Sequence, residues 1–146
     1  MRALGIDLGS KRIGVALCDS GGVLATPWET VERSGERRLD HRRLLDLASE
    51  AEAEILVVGL PLGLDGTIGP AATAVLEEVE ELRATAPVPV ETYDERLTTV
   101  TATRLLRESG VSGKARRKVV DQVAAAVILQ SWLDGRPSDG RSSTVP

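Results

Sequence analysis

Ala3-Leu4-Gly5-Ile6-Asp7-Leu8-Gly9-Ser10-Lys11-Arg12-Ile13-Gly14-Val15-Ala16 decides how the rest of the chain is read. Two apolar runs flank a turn of small and basic residues, the pattern of a β-hairpin whose first strand ends on a carboxylate. Asp7 interrupts that run between Ile6 and Leu8, where an aspartate is disfavoured by strand propensity and costly to bury without compensation. Two readings stay open on this stretch alone: a divalent cation neutralises the carboxylate, or the aspartate caps the turn with its own side chain.

Outward from the hairpin, Gly21-Gly22 marks a turn, and residues 23–31 read as a third strand, at an edge because Pro27 has no N–H to give a ladder. Residues 37–53 repeat apolar positions at helical spacing (Leu39, Leu44, Leu47, Ala48, Ala51), and residues 55–59 form a continuous apolar run of the buried parallel kind. Residues 60–67 are a Pro- and Gly-held loop. The following helix, 70–84, points Ala71, Val75, Val79 and Leu82 inward and its glutamates outward. A fifth strand at 88–93 leads to a helix starting at Thr98 or Thr99 and running to Ser109, then to a closing helix over 116–133. Three antiparallel strands followed by alternating helices and two parallel strands make an α/β domain over residues 1–134, with a mixed five-stranded sheet and helices on both faces. This order resembles the ribonuclease H-like fold. The tail, 135–146, is Gly, Ser, Pro and charge, and disorder is expected there.

A chain of 146 residues with no Phe, one Tyr and two Trp is of single-domain length and must build an aliphatic core. The single cysteine, Cys18, excludes an internal disulfide and reads as a small buried hydrophobe, which suits a reducing cytosol. There is no apolar run of membrane-spanning length and no basic-then-apolar leader, so the cytoplasm is expected and a membrane is not. The net charge of −4 argues against sequence-independent nucleic-acid binding, yet the cations cluster, at Lys11 and Arg12, around Arg33 to Arg43, and from Lys114 to Lys118.

Two further acids stand where folding alone would not put them. Asp121 shares a helical stripe with Ala124, Ala125, Ile128 and Trp132 and therefore faces the core. Either a cation compensates it or Lys118 or Arg117 pairs with it one turn back. Of Asp94 and Glu95, just past the fifth strand, one is expected to point inward and the other to cap. Brought to one sheet edge, Asp7, Glu95 and Asp121 would form a hard-oxygen cluster suited to Mg²⁺ or Mn²⁺ and to phosphodiester cleavage. Zinc is excluded by a single His and a single Cys, and His41, among arginines, is expected to be exposed.

Four segments taken together resemble the YqgF family, also called RuvX: Asp7 to Ala16, Val58-Gly59-Leu60-Pro61 with Asp65-Gly66, Asp94 to Thr99, and Val120 to Ala125. The resemblance implies a ribonuclease H-like fold and a metal-dependent nuclease, with Asp7, Glu95 and Asp121 in the places of the family's acidic triad. It implies a nucleic-acid partner, either the 5′ end of precursor 16S ribosomal RNA or branched DNA of the Holliday junction type. A resolvase would act as a homodimer, cutting two strands, whereas a trimming enzyme need not. Lys11, Arg12 and Arg96 are expected at substrate phosphates, and Gly59, Leu60 and Pro61 at the strand exit where open α/β sheets bind ligands. A catalytically inactive nucleic-acid-binding module of the same fold is the competing reading. An actin-type ATP lobe, suggested by Asp7-Leu8-Gly9, lacks both the length and a second phosphate loop.

Overall fold

The hairpin comprises β1 (Ala3–Leu8) and β2 (Arg12–Cys18), with register Asp7 opposite Gly14 and Ile6 opposite Val15. A computed structural model describes residues 1–98 and 114–136, with side chains from 119 onward in the second segment. The expected helix from Thr98 or Thr99 to Ser109, the side chains of the Lys114 to Lys118 run and the tail beyond Arg136 lie outside the described residues. After β2 the elements are β3 (Ala25–Glu32), α1 (Arg37–Glu50), β4 (Ile55–Leu60), α2 (Pro70–Thr85), β5 (Val90–Asp94), a 3-10 turn (Glu95–Leu97) and α3 (Lys114–Gly135).

The sheet order is β3-β2-β1-β4-β5. β1, β2 and β3 are antiparallel, while β1, β4 and β5 run parallel. This is the mixed sheet of a ribonuclease H-like fold. β3 is an edge strand, and Trp28 is the extra residue of a bulge, since Val15 pairs with Glu29 and Ala16 with Pro27. β1 and β4 are central and read as unbroken apolar runs because both faces are covered. On one face Leu4, Ile6, Ile13, Val15, Leu56 and Val58 pack against α1 and α2. On the other, Ala3, Ala16, Cys18, Ile55 and Val57 meet Ala124, Ala125, Ile128 and Leu129 of α3. Large residues line the first face and small ones much of the second, so α3 can lie close to the sheet. At Gly14 the approach is closest: a Cβ there would fall 2.0 Å from the Asp121 carbonyl oxygen. No described helix is long and apolar enough to cross a membrane.

Four expectations fail on the α1/α2 face. Leu39 is 44% exposed, whereas Asp40 and His41 are buried. Ala72 takes the inward place expected for Ala71, and Glu78 is buried with Val75, Val79 and Leu82 rather than turned outward with its neighbours. His41 and Glu78 share one cause. Both sit where α1 and α2 face each other, and each is the other's hydrogen-bond partner, at 2.7 Å. A pair 37 residues apart cannot be matched from the pattern of either helix alone.

Candidate active site

Strand alternation determines where Asp7 points. Ala3 faces α3, so Gly5 and Asp7 do too; Ile55 and Val57 face α3, so Gly59 does as well. Ile6 of β1 is in register with Val58 of β4, which sets Asp7 and Gly59 side by side one residue further along. At Gly59 a Cβ would stand 2.8 Å from Glu95 Oε2 and 2.5 Å from Ile128 Cδ1, so a side chain there would displace both. Glu95 thus lays its carboxylate over Gly59. Asp121 arrives from α3 above Gly14, the residue opposite Asp7. Asp7, Glu95 and Asp121 are 1%, 3% and 1% exposed. The three acids come from a strand, a 3-10 turn and a helix, and they share one sheet face beyond the parallel strand ends.

Arg12 reaches the same place. It lies two residues before Gly14 on β2, hence on the α3 side, and its Nε donates to Asp121 Oδ2 at 2.7 Å. The side chains of Arg117 and Lys118, expected one turn back, lie outside the described residues; among those described, a guanidinium from a strand 109 residues away in sequence reaches Asp121. Lys11 is exposed at the turn between β1 and β2.

The Asp94 and Glu95 pair divides as expected. Asp94 caps the 3-10 turn, accepting from the Arg96 backbone N–H at 2.9 Å, while Glu95 goes inward. The Asp94 carboxylate also takes the Arg96 guanidinium, with Nη2 to Oδ2 at 2.6 Å. That hydrogen bond holds the Asp94 pKa below the usual carboxylate range and raises that of Arg96. Arg96 is thereby held against Asp94 and, through Nη1, the Leu64 carbonyl oxygen. Leu60 follows Gly59 at the rim, and Pro61 lines a cavity of about 590 Å³ on the opposite face, with Leu8, Ser10, Arg33 and Val75. None of the three acids lines that cavity, so it and the carboxylate group sit on opposite sides of one sheet end.

The donors fit a hard divalent cation in kind: three carboxylates, with His41 and Cys18 both elsewhere in the fold. Among the described residues no group of three or more His, Cys, Asp or Glu side chains is arranged to hold a metal ion as it stands. Mg²⁺ does not require one, since it is usually held by one or two carboxylates together with waters and substrate phosphate oxygens.

Arg33, His41 and Glu78 were not singled out as site residues by the sequence. Arg33 Nη1 and Nη2 donate to Glu78 Oε2 and Oε1 at 2.6 and 2.9 Å, and its Nε and Nη2 donate to the Gly9 carbonyl oxygen at 3.0 and 2.8 Å. Burial pushes the Glu78 carboxyl up, but hydrogen bonds from His41 and Arg33 outweigh it and bring its pKa down to about 2. A trace existed in the sequence: Glu78 is three residues from Val75 and four from Leu82, on the inward row of α2.

Fold and sheet-edge acids together define an α/β protein of the ribonuclease H-like class. The RuvX family model, described as a Holliday junction resolvase, matches residues 1–135, and the chain belongs to that family. It is 55% identical over 136 residues to a protein of Mycobacterium sp. (strain KMS) named "Putative pre-16S rRNA nuclease", covering 92% of this chain and 80% of that one. A protein of the same name from Rhodococcus jostii (strain RHA1) is 54% identical over 139 residues, covering 92% and 78%. Among solved structures, RuvC of Thermus thermophilus superposes with a TM-score of 0.54 at 18% identity, over 99% of this chain and 98% of that one, a likeness of fold.

Proposed function

We propose that this protein is a divalent-metal-dependent nuclease that hydrolyses phosphodiester bonds of precursor 16S ribosomal RNA, working in the cytoplasm. The observation that carries the reading is the burial of Asp7, Glu95 and Asp121 on one sheet face at one strand end, from elements far apart in sequence. Burying carboxylates costs several kcal/mol each unless they are compensated, and a hard-oxygen set of this kind suits Mg²⁺ or Mn²⁺. The three acids would hold the ion. Once bound, it supplies Lewis-acid polarisation of the scissile phosphate and a more acidic water.

The chain's own cations do the rest. Arg12, its side chain 14% exposed, orients the Asp121 carboxylate at the edge of a phosphate site, and Lys11 beside it, exposed at the turn, adds a point charge. Arg96, with Gly59, Leu60 and Pro61, would guide the strand along the rim, as an electrostatic contact without base reading. The choice of RNA rests on relatives more than half identical that carry the rRNA name; the family description favours branched DNA.

The test is cleavage of a precursor 16S rRNA fragment and of a four-way DNA junction, with Mg²⁺ and with a chelator. Shortening of the RNA that stops on chelation and fails in Asp7→Asn is the expected result. Undiminished cleavage by Asp7→Asn, or in chelator, removes the carboxylate mechanism. Selective cutting of the junction by a protein that sediments as a dimer replaces RNA with branched DNA.

A further inference from the structure

We infer that Arg33, clamped by Glu78 and His41, is a positioning residue that fixes the turn between Asp7 and Arg12 from the opposite face of the sheet; the inference rests on the nuclease reading above. The turn is held at both ends by this one residue. The Arg33 backbone N–H donates to the Lys11 carbonyl oxygen at 3.0 Å, just beyond the end of β3. Its guanidinium donates twice to the Gly9 carbonyl oxygen, at 3.0 and 2.8 Å. Gly9 in turn gives its own N–H to the Asp7 carbonyl oxygen at 3.0 Å. Between Asp7 and Arg12, the main chain is therefore tied at Gly9 and at Lys11 to a single side chain and its backbone.

That side chain is itself immobilised. The face of the guanidinium away from Gly9 makes a two-pronged pair with Glu78 of α2, and Glu78 Oε2 also accepts from His41 Nε2 of α1 at 2.7 Å. Side-chain exposures of 16%, 5% and 6% for Arg33, Glu78 and His41 keep solvent from loosening the set. Only a planar guanidinium offers donors on two edges at fixed angles, so lysine retains the charge and loses the geometry. A buried ion pair is weak evidence for stability, because apolar replacements often do as well. Here the pair is aimed at a carbonyl two residues from a proposed metal ligand, and such ligands must be held to within about 0.5 Å to function. Both helices of that face thereby take part in setting a turn whose acid points the other way.

The experiment uses the full chain as wild type, Arg33→Lys, Glu78→Gln and the double variant. Two readouts are taken: steady-state cleavage of the precursor rRNA fragment with Mg²⁺, and amide hydrogen exchange. Arg33→Lys is expected to lower kcat by about 10- to 100-fold, the usual loss when an outer partner of a metal ligand is removed, with KM within about twofold. Exchange of the Gly9 amide should quicken about tenfold while Val57, in the sheet centre, stays unchanged. Glu78→Gln, which keeps the shape and an acceptor, should lose less, and the double variant no more than Arg33→Lys alone, because the two act as one unit. A lowered melting temperature with unchanged kcat, or unchanged Gly9 exchange, overturns the inference. Should Arg33→Lys not fold, Glu78→Gln alone decides on the same two readouts. A wild type that cuts neither RNA nor junction sinks the nuclease reading, and the exchange measurement still decides whether the turn is clamped.

Discussion

The two faces of the sheet bury acids at the same strand end in opposite ways. On the α1/α2 side, where Asp40 is buried as well, Glu78 receives three hydrogen bonds from an arginine and a histidine. On the α3 side three carboxylates gather, with the Arg12 guanidinium on Asp121. The first arrangement balances its charge within the fold; the second is the one proposed to share its charge with a metal and a phosphate chain. Burial of an acid therefore does not by itself mark a reactive site. The balance of charge around it separates a structural fastening from a chemical one.

The comparison breaks most plainly at Asp7. Asp7→Asn is nearly isosteric and should lower the cleavage rate by about 10³-fold or more, several kcal/mol of lost metal-assisted stabilisation, while thermal unfolding shows the fold intact. Glu78→Ala should act on stability as well as on the turn that Arg33 holds, leaving Arg33 buried without its carboxylate and costing about 3–5 kcal/mol in denaturant unfolding. The same carboxyl makes stability depend on pH. Its folded pKa, about 2, lies below the ordinary 4.5, so its contribution is complete above pH 4.5 and drains away as pH falls toward 2, by about 3 kcal/mol in all. Unfolding curves of Glu78→Gln should lack that part of the acid slope.

Gly14→Ala tests the other face by geometry. A methyl group 2.0 Å from the Asp121 carbonyl oxygen must push α3 off the sheet, with an expected loss of about 1–3 kcal/mol by calorimetry and a fall in activity out of proportion to it. Smallest is Arg96→Ala. Its partner Asp94 sits at the surface, so stability should change by less than about 1 kcal/mol. If Arg96 touches phosphate, the salt dependence of RNA binding should flatten by about one charge.

Much of this was legible in the chain. Asp7 and Asp121 stood out because each breaks an apolar rhythm, one of period two and one of period 3.6, and both are buried as that break implied. The hairpin, the edge position of β3 and the parallel β4 were readable from Gly, Pro and uninterrupted aliphatic runs. Glu78 was hidden by company: between Glu77 and Glu80 it looked like part of a solvated stripe, and its arginine lies 45 residues away. His41 was misread for the same reason, being surrounded by arginines that do face solvent. Arg12 was legible as a cation of the turn but not as the partner of Asp121, because that contact depends on how near α3 settles to Gly14.

The Gly14 contact also orders events in time. Two of the three acids, Asp7 and Glu95, are carried by the sheet and the turn that follows it, whereas the third is delivered by α3 after everything else that is described has been synthesised. If the three acids act together as proposed, a nascent chain halted before residue 121 would hold only two of them, and cleavage would begin only once the closing helix docks.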